Sequence, residues 1–241
     1  MKKLFNSQQK IGEIAAIFPK ATDIFMEYNI DFCCGGDRLL TDALKEQGIN
    51  EEEILEKINM TYEEFINKDD NSVDWRTASM TDLIEYIVQK HHTFMKNELP
   101  VTINLLNKIL KVHYIDHGET LSSLHKLFSS LKAEIEEHLI NEEELLFPAI
   151  LEYEKEPSID LLEKAKNVMM ETEDEHNNAG DILKEMRKIT NNYKIPSSSC
   201  NSFKRTYEKL EEIESDLFQH IHLENNILFE RLKQGKEAEC K

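Results

Sequence analysis

Four long stretches of this chain repeat apolar residues at alternating intervals of three and four, and that rhythm leaves little choice of fold. The first runs through Leu83, Ile84, Ile87, Val88, Met95 and Leu99; Pro100 kinks or ends it, although apolar spacing resumes to Leu110. The second, roughly 119–153, carries Leu124, Phe128, Leu131, Ile135, His138, Glu142, Leu145 and Ala149. The third follows Pro157-Ser158 with Leu162, Ala165, Met169, Thr172, His176, Ala179, Leu183 and Met186. After a loop at Pro196 and Ser197-Ser198-Ser199, the fourth shows Phe203, Leu210, Ile213, Leu217, His220, Glu224 and Ile227. Such spacing is the seam of a left-handed helix bundle. Only 7 Gly and 5 Pro interrupt 241 residues, and most of the 32% charged residues are Glu and Lys, which favour helix. The prediction is an all-α protein built on an up-down four-helix bundle.

The seam contains residues that do not belong in an aliphatic core. His138 with Glu142, and His220 with Glu224, each place a histidine four residues before a carboxylate, so the two side chains share one helix face. A single buried histidine is usually a hydrogen-bonded core residue, and a single pair of this kind arises by chance in any charged helix. Here both pairs lie on the seam, His176 lies on a third helix, and His91 or His92 occupies the matching place on the first. Lone polar groups there would be costly to bury, so something must compensate them. Four imidazoles and two carboxylates suit iron, manganese or zinc, and bundle cores are where two-metal carboxylate sites are built. Glu142 and Glu224 would bridge two ions, two histidines would complete each, and open positions would remain for a small ligand. Periodicity does not separate His91 from His92. His125 neighbours Leu124 and reads as surface, His113 and His117 fall in the connection around Gly118 and read as solvent-exposed, and His222 should point away from its neighbouring pair.

Residues 1–65 read as a small domain of short helices. Ile11, Ile14, Ala15 and Ile17-Phe18 precede Pro19; Ala21, Ile24, Phe25 and Tyr28 form a second face; Leu39, Leu40 and Leu44 form a third that stops at Gly48. Between them lies a tight turn, Asp31-Phe32-Cys33-Cys34-Gly35-Gly36-Asp37. Asn50 with Glu53, and Thr61 with Glu64, resemble capping boxes that open helices, as does Ser79 with Asp82. Residues 66–78 are polar without helical period and read as a linker, leaving 79–235 for the bundle.

The net charge of −18, from 47 acidic and 29 basic residues, argues against nucleic acid and against anionic membranes as partners. No apolar run approaches a membrane span, and the N-terminus turns polar at once, so a cytoplasmic location is expected. In a reducing compartment Cys33, Cys34, Cys200 and Cys240 are thiols. Cys33-Cys34 is either a pair of partly buried thiols in a glycine turn or a redox or metal-handling pair; a disulfide between neighbours would be strained and easily reduced.

Taken together, these motifs resemble the iron–sulfur cluster repair di-iron proteins of the RIC or ScdA type, over nearly the whole chain. The resemblance rests on Asp31-Phe32-Cys33-Cys34-Gly35-Gly36, on Asp74-Trp75-Arg76, and on His92 eight residues before Pro100. It rests also on His138 with Glu142 before Leu146-Phe147-Pro148, on Glu175-His176, and on His220 with Glu224-Asn225-Asn226. It implies a hemerythrin-like bundle with two non-haem iron ions, oxo- or hydroxo-bridged. Their ligands would be His92 rather than His91, with His138, Glu142, His176, His220 and Glu224; His113 also falls on a family histidine and is an additional candidate. The implied function is repair of iron–sulfur clusters damaged by oxidative or nitrosative stress by supplying iron, with Cys33 and Cys34 passing electrons or iron. Implied partners are damaged iron–sulfur proteins and small ligands such as NO or O2, and the small domain leaves homodimerisation open. A hemerythrin-like O2- or NO-binding sensor and an NO-reducing di-iron enzyme are the alternatives. In true hemerythrins a second histidine follows the third-helix ligand by four residues; here that position is Gly180, which implies a more open centre that holds its irons less tightly.

Overall fold

The computed structural model describes residues 4–67, 73–197 and 199–235. Among these residues every regular element is helical, and the sole sheet-like feature is an isolated antiparallel bridge between Lys10 and Leu39. The protein is all-α, as the seam predicts. The described residues fall into two compact units, one made of 4–83 with 218–235 and the other of 84–217.

The first unit opens with four helices: α1 (Ile11–Ile17), α2 (Ala21–Glu27), α3 (Leu40–Gln47) and α4 (Glu51–Asn67). Gly48 ends α3 with φ at +68°, a left-handed conformation that only glycine adopts without strain. Asn50 begins α4 as expected, its Oδ1 accepting the N–H groups of Glu52 and Glu53 at 2.9 and 3.4 Å. Thr61 does not open a helix. Its hydroxyl instead donates to the Lys57 carbonyl at 2.8 Å inside the continuous α4, an internal bond that satisfies a threonine without any helix end. Phe5, Phe18, Phe25, Phe32, Leu40, Leu44, Ile54 and Ile58 are buried in one core, and Phe218 packs against it. Buried Asn59 accepts the N–H groups of Leu4 and Phe5 and donates to the Phe5 carbonyl, tying the N-terminal segment to α4. Of the expected linker, residues 68–72 lie outside the described residues; the Asp74-Trp75-Arg76 motif forms a turn in which Arg76 grips the Asp74 carboxylate with two bonds of 2.9 and 2.7 Å.

The cysteine turn belongs to this unit and is held from both sides. Asp31 Oδ1 accepts the N–H groups of Cys34 and Gly35 at 3.1 and 3.0 Å, and Gly12 N–H donates to the Gly36 carbonyl at 2.8 Å. The Asn226 amide donates to the Phe32 carbonyl at 3.0 Å. Asn226 sits so close that a Cβ on Gly12 or on Gly36 would lie 2.1 Å from its Oδ1, so both glycines mark a close approach.

In the second part of the chain, α5 (Met80–Ile87) begins where Ser79 Oγ accepts the Asp82 N–H at 2.9 Å. It continues through a π-helical turn, Val88–His92, into α6 (Thr93–Val112), and Pro100 does not end it. Helix α7 (Tyr114–Asn141) is non-helical at His117, so its regular run starts at Gly118; a second π turn, Glu142–Leu146, leads into α8 (Phe147–Lys155). Helix α9 (Ile159–Ile189) is capped by Ser158, and α10 (Asn201–Leu223) leads through a third π turn, Glu224–Leu228, into α11 (Phe229–Lys233). Seam residues Leu106, Phe128, Leu131, Ile135, Leu183, Leu210 and Ile213 are buried, each contributing roughly 1.5–3 kcal/mol. Within the bundle unit α10 is clamped by Arg187 to Glu214, by Lys209 to Glu98 at 3.1 Å and by His91 to Asp216 at 3.0 Å. Burial pushes the Glu214 carboxyl up while Arg187 opposes that push.

One seam position differs from expectation. Leu145 is 56% exposed, and its neighbour Leu146 is buried in its place. A π turn holds one residue more than an α turn, so the apolar stripe resumes one position later.

Gly36→Ala should destabilise the protein by about 1–3 kcal/mol in urea unfolding, the usual cost of forcing atoms into a packed contact. In an Asn226→Ala background the same change should cost much less; an equal cost in both backgrounds would remove this contact as the reason for the glycine.

Candidate metal centre

The bundle unit gathers its polar seam residues around one carboxylate. Glu142, fully buried, is the first residue of the π turn after α7, and His138 precedes it by one helical turn. His138 Nε2 lies 3.2 Å from Glu142 Oε1, His176 Nε2 from α9 lies 3.9 Å from the same oxygen, and His92 Nε2 lies 3.3 Å from Oε2. His92 is the last residue of the π turn before α6. Ligand atoms of His138, Glu142 and His176 all lie within 4.8 Å of one another.

The opposite edges of two of these rings are fixed by further carboxylates. His92 Nδ1 is 2.7 Å from Glu143 Oε1, and His138 Nδ1 is 2.6 Å from Glu175 Oε2. Burial pushes Glu143 up, but Lys96 at 2.7 Å and His92 more than offset it, so its carboxyl sits below the usual range and stays ionised. An ionised acceptor at Nδ1 places the ring proton there and leaves Nε2 with a lone pair aimed at Glu142. The stacked Phe147 ring, with its centroid 5.6 Å from that of His92, helps to hold the imidazole plane.

Lone pairs facing lone pairs repel unless a cation lies between them. His138 and His176 face each other Nε2 to Nε2 at 3.2 Å in the buried site, both on the side of Glu142 Oε1. The donor set of imidazole nitrogens and carboxylate oxygens fits a borderline metal such as iron. In the other unit, His220 Nε2 lies 3.3 Å from Glu224 Oε1, both are fully buried, and Glu224 again begins a π turn.

The remaining histidines lie elsewhere. His91 is buried with Nδ1 on Asp216, and it serves the clamp on α10. His113 Nε2 is 3.2 Å from Cys200 Sγ, and the rings of His113 and His117 lie edge-on to Phe203 with both residues half-buried, so neither is fully in solvent. The exposed Cys200 thiol is drawn down to about 7 by that His113 contact and by the N–H groups opening α10. His125 bonds Asn107 at 2.9 Å. His222 is buried, against the Phe32 ring and 3.0 Å from Asn226, and burial pulls its imidazole down to about 4. Gly180 is buried in α9 and offers no donor. Glu143, Glu175 and Asp216 are the supporting residues that the apolar pattern does not reveal; Glu143 and Glu175 each adjoin a candidate ligand in sequence and Asp216 precedes His220 by one turn, yet on a chain this acidic that signal is weak.

Residues 82–232 match a family model described as the hemerythrin HHE cation binding domain, and residues 7–62 match ScdA_N, a domain of unknown function (DUF542). The chain is 35% identical over 230 residues to a probable iron–sulfur cluster repair protein of Haemophilus influenzae, covering 95% of this chain and 99% of that protein. It is 32% identical to the iron–sulfur cluster repair protein YtfE of Pectobacterium atrosepticum, covering 95% and 98%. It is 29% identical to the iron–sulfur cluster repair protein ScdA of Staphylococcus haemolyticus, covering 95% and 99%.

Glu175→Gln keeps the shape of the side chain but removes the charge that fixes the His138 ring. It should weaken metal binding by about 10–100-fold in a chelator competition, the usual effect of losing a carboxylate behind a ligating histidine. Unchanged affinity would mean that Glu175 does not orient His138.

Proposed function

Because the chain belongs to the iron–sulfur cluster repair family, with its ScdA-type N-terminal domain and hemerythrin HHE domain, we propose that it restores iron–sulfur clusters damaged by oxidative or nitrosative stress. Damaged iron–sulfur proteins are then its targets. The observation that carries this reading is the convergence of three imidazole nitrogens on buried Glu142, two of them oriented by carboxylates behind the ring.

On this reading Glu142 and Glu224, with His92, His138, His176 and His220, would hold two non-haem irons. Bound iron would supply redox chemistry toward small ligands such as NO and a store of releasable metal. The protein's own contribution is to hold the acceptors together and to exclude bulk water, since Glu142 and Glu224 have no exposed surface. Gly180 withholds the additional imidazole that would tighten one iron, which favours release over storage. His113, beside Cys200, is left outside the ligand set.

The purified protein should carry about two irons per chain, and Glu142→Leu should lose most of them. Iron-loaded protein should return activity to an enzyme whose [4Fe–4S] cluster has been damaged by NO, whereas Glu142→Leu should not. Equal iron in both proteins would place the metal elsewhere, and recovery without iron would separate repair from iron supply. Reversible O2 or NO binding with full retention of iron would favour a sensor.

A further inference from the structure

The cysteine turn holds a second constellation of donor atoms that the bundle chemistry does not use. Asp31, Cys33 and Cys34 each offer a ligand atom, and these atoms lie within 4.8 Å of one another. The sulfurs are 3.7 Å apart, and Cys33 Sγ is 3.4 Å from Asp31 Oδ1. Two uses of such a pair can be weighed by geometry. A disulfide requires the sulfurs to close to about 2.05 Å between residues whose Cα atoms, about 3.8 Å apart as neighbours, lie below the usual disulfide range. A shared cation requires almost no movement: two bonds of about 2.3 Å at a tetrahedral angle separate the sulfurs by about 3.8 Å. The observed separation matches the second case.

The turn is also built to keep that spacing. The Asp31 carboxylate is fixed by the N–H groups of Cys34 and Gly35, the carbonyls of Phe32 and Cys33 are held by the amides of Asn226 and Asn225, and the Gly36 carbonyl is held by Gly12. Donors that are pre-positioned in this way lose little freedom when a ligand arrives. Cys33 is buried while Cys34 and Asp31 are half-buried, so one edge of the cluster reaches solvent. We propose that Asp31, Cys33 and Cys34 form a second metal site, taking one borderline-soft divalent cation such as Zn(II) or Fe(II) through two thiolates and a carboxylate. Binding forms two metal–sulfur bonds and one metal–oxygen bond and releases the two thiol protons to water; no electron moves. Without a cation the turn opposes ionisation of its buried thiol. The bond to Cys34, burial and the nearby Asp31 charge hold the Cys33 thiol well above its ordinary value, and a cation is the charge that would reverse this.

The site does not depend on the di-iron reading, and one titration separates them. Reduced, metal-free full-length protein is titrated with Co(II), following the thiolate-to-metal charge-transfer band that imidazole and carboxylate ligands do not give. The band should saturate at one thiolate-bound Co(II) per chain and persist in Glu142→Leu. It should vanish in Cys34→Ser, whose half-exposed side chain makes misfolding a small risk, with circular dichroism checking the fold. Asp31→Asn should weaken binding by about ten-fold or more, the least expected when even outer-shell changes cost that much. Absence of the band in the folded wild-type protein would overturn the proposal, as would a band of unchanged affinity in Cys34→Ser.

Discussion

A buried carboxylate surrounded by imidazole lone pairs is repulsive until a positive charge enters it, and the bundle is arranged to sustain that condition. Taken alone, an uncompensated charge at the Glu142 position would cost several kcal/mol. The surrounding aliphatic stripe, at roughly 1.5–3 kcal/mol per buried side chain, is what keeps His92, His138, His176 and Glu142 facing one another. Behind the rings, Glu143 and Glu175 fix which nitrogen carries the proton, and Lys96 keeps Glu143 ionised. The site is therefore a hierarchy: apolar packing fixes the helices, carboxylates fix the rings, and the rings fix where a metal can sit.

Within the first unit, a segment distant in sequence holds the cysteine turn. Asn225 and Asn226 follow Glu224 directly and reach the carbonyls of Phe32 and Cys33. The cysteine turn is thus bonded to the same π turn that begins with Glu224, and Gly12 and Gly36 leave the space that lets Asn226 reach it. The thiols and the Glu224 turn share one set of hydrogen bonds.

Much of this was legible in the amino-acid order because helical periodicity is a local property. The seams, the paired histidine and glutamate residues, and the caps at Asn50 and Ser79 can all be read within a turn or two. What escaped depends on contacts between distant residues. Nothing near His138 announces that Glu175, on another helix, will hold its ring, and nothing near Gly12 announces Asn226. Thr61 misled because a hydroxyl can bond inside a helix as well as at its start. The choice between His91 and His92 stayed open for a different reason: both fit, since Ile87 and His91 follow the upstream phase of the stripe while His92, Met95 and Leu99 follow the downstream one.

That change of phase recurs at Glu142 and Glu224, and it acts as a reading-frame shift within the core. Each π turn inserts one residue without adding a loop, so the apolar code before a ligand and the code after it are written in different frames. A helix bundle of the same shape assembled without these turns would be one residue shorter in each such helix. Its seam could be superimposed on this one on either side of these turns, but not on both, and the missing residue would always fall at the turn where a candidate metal ligand stands.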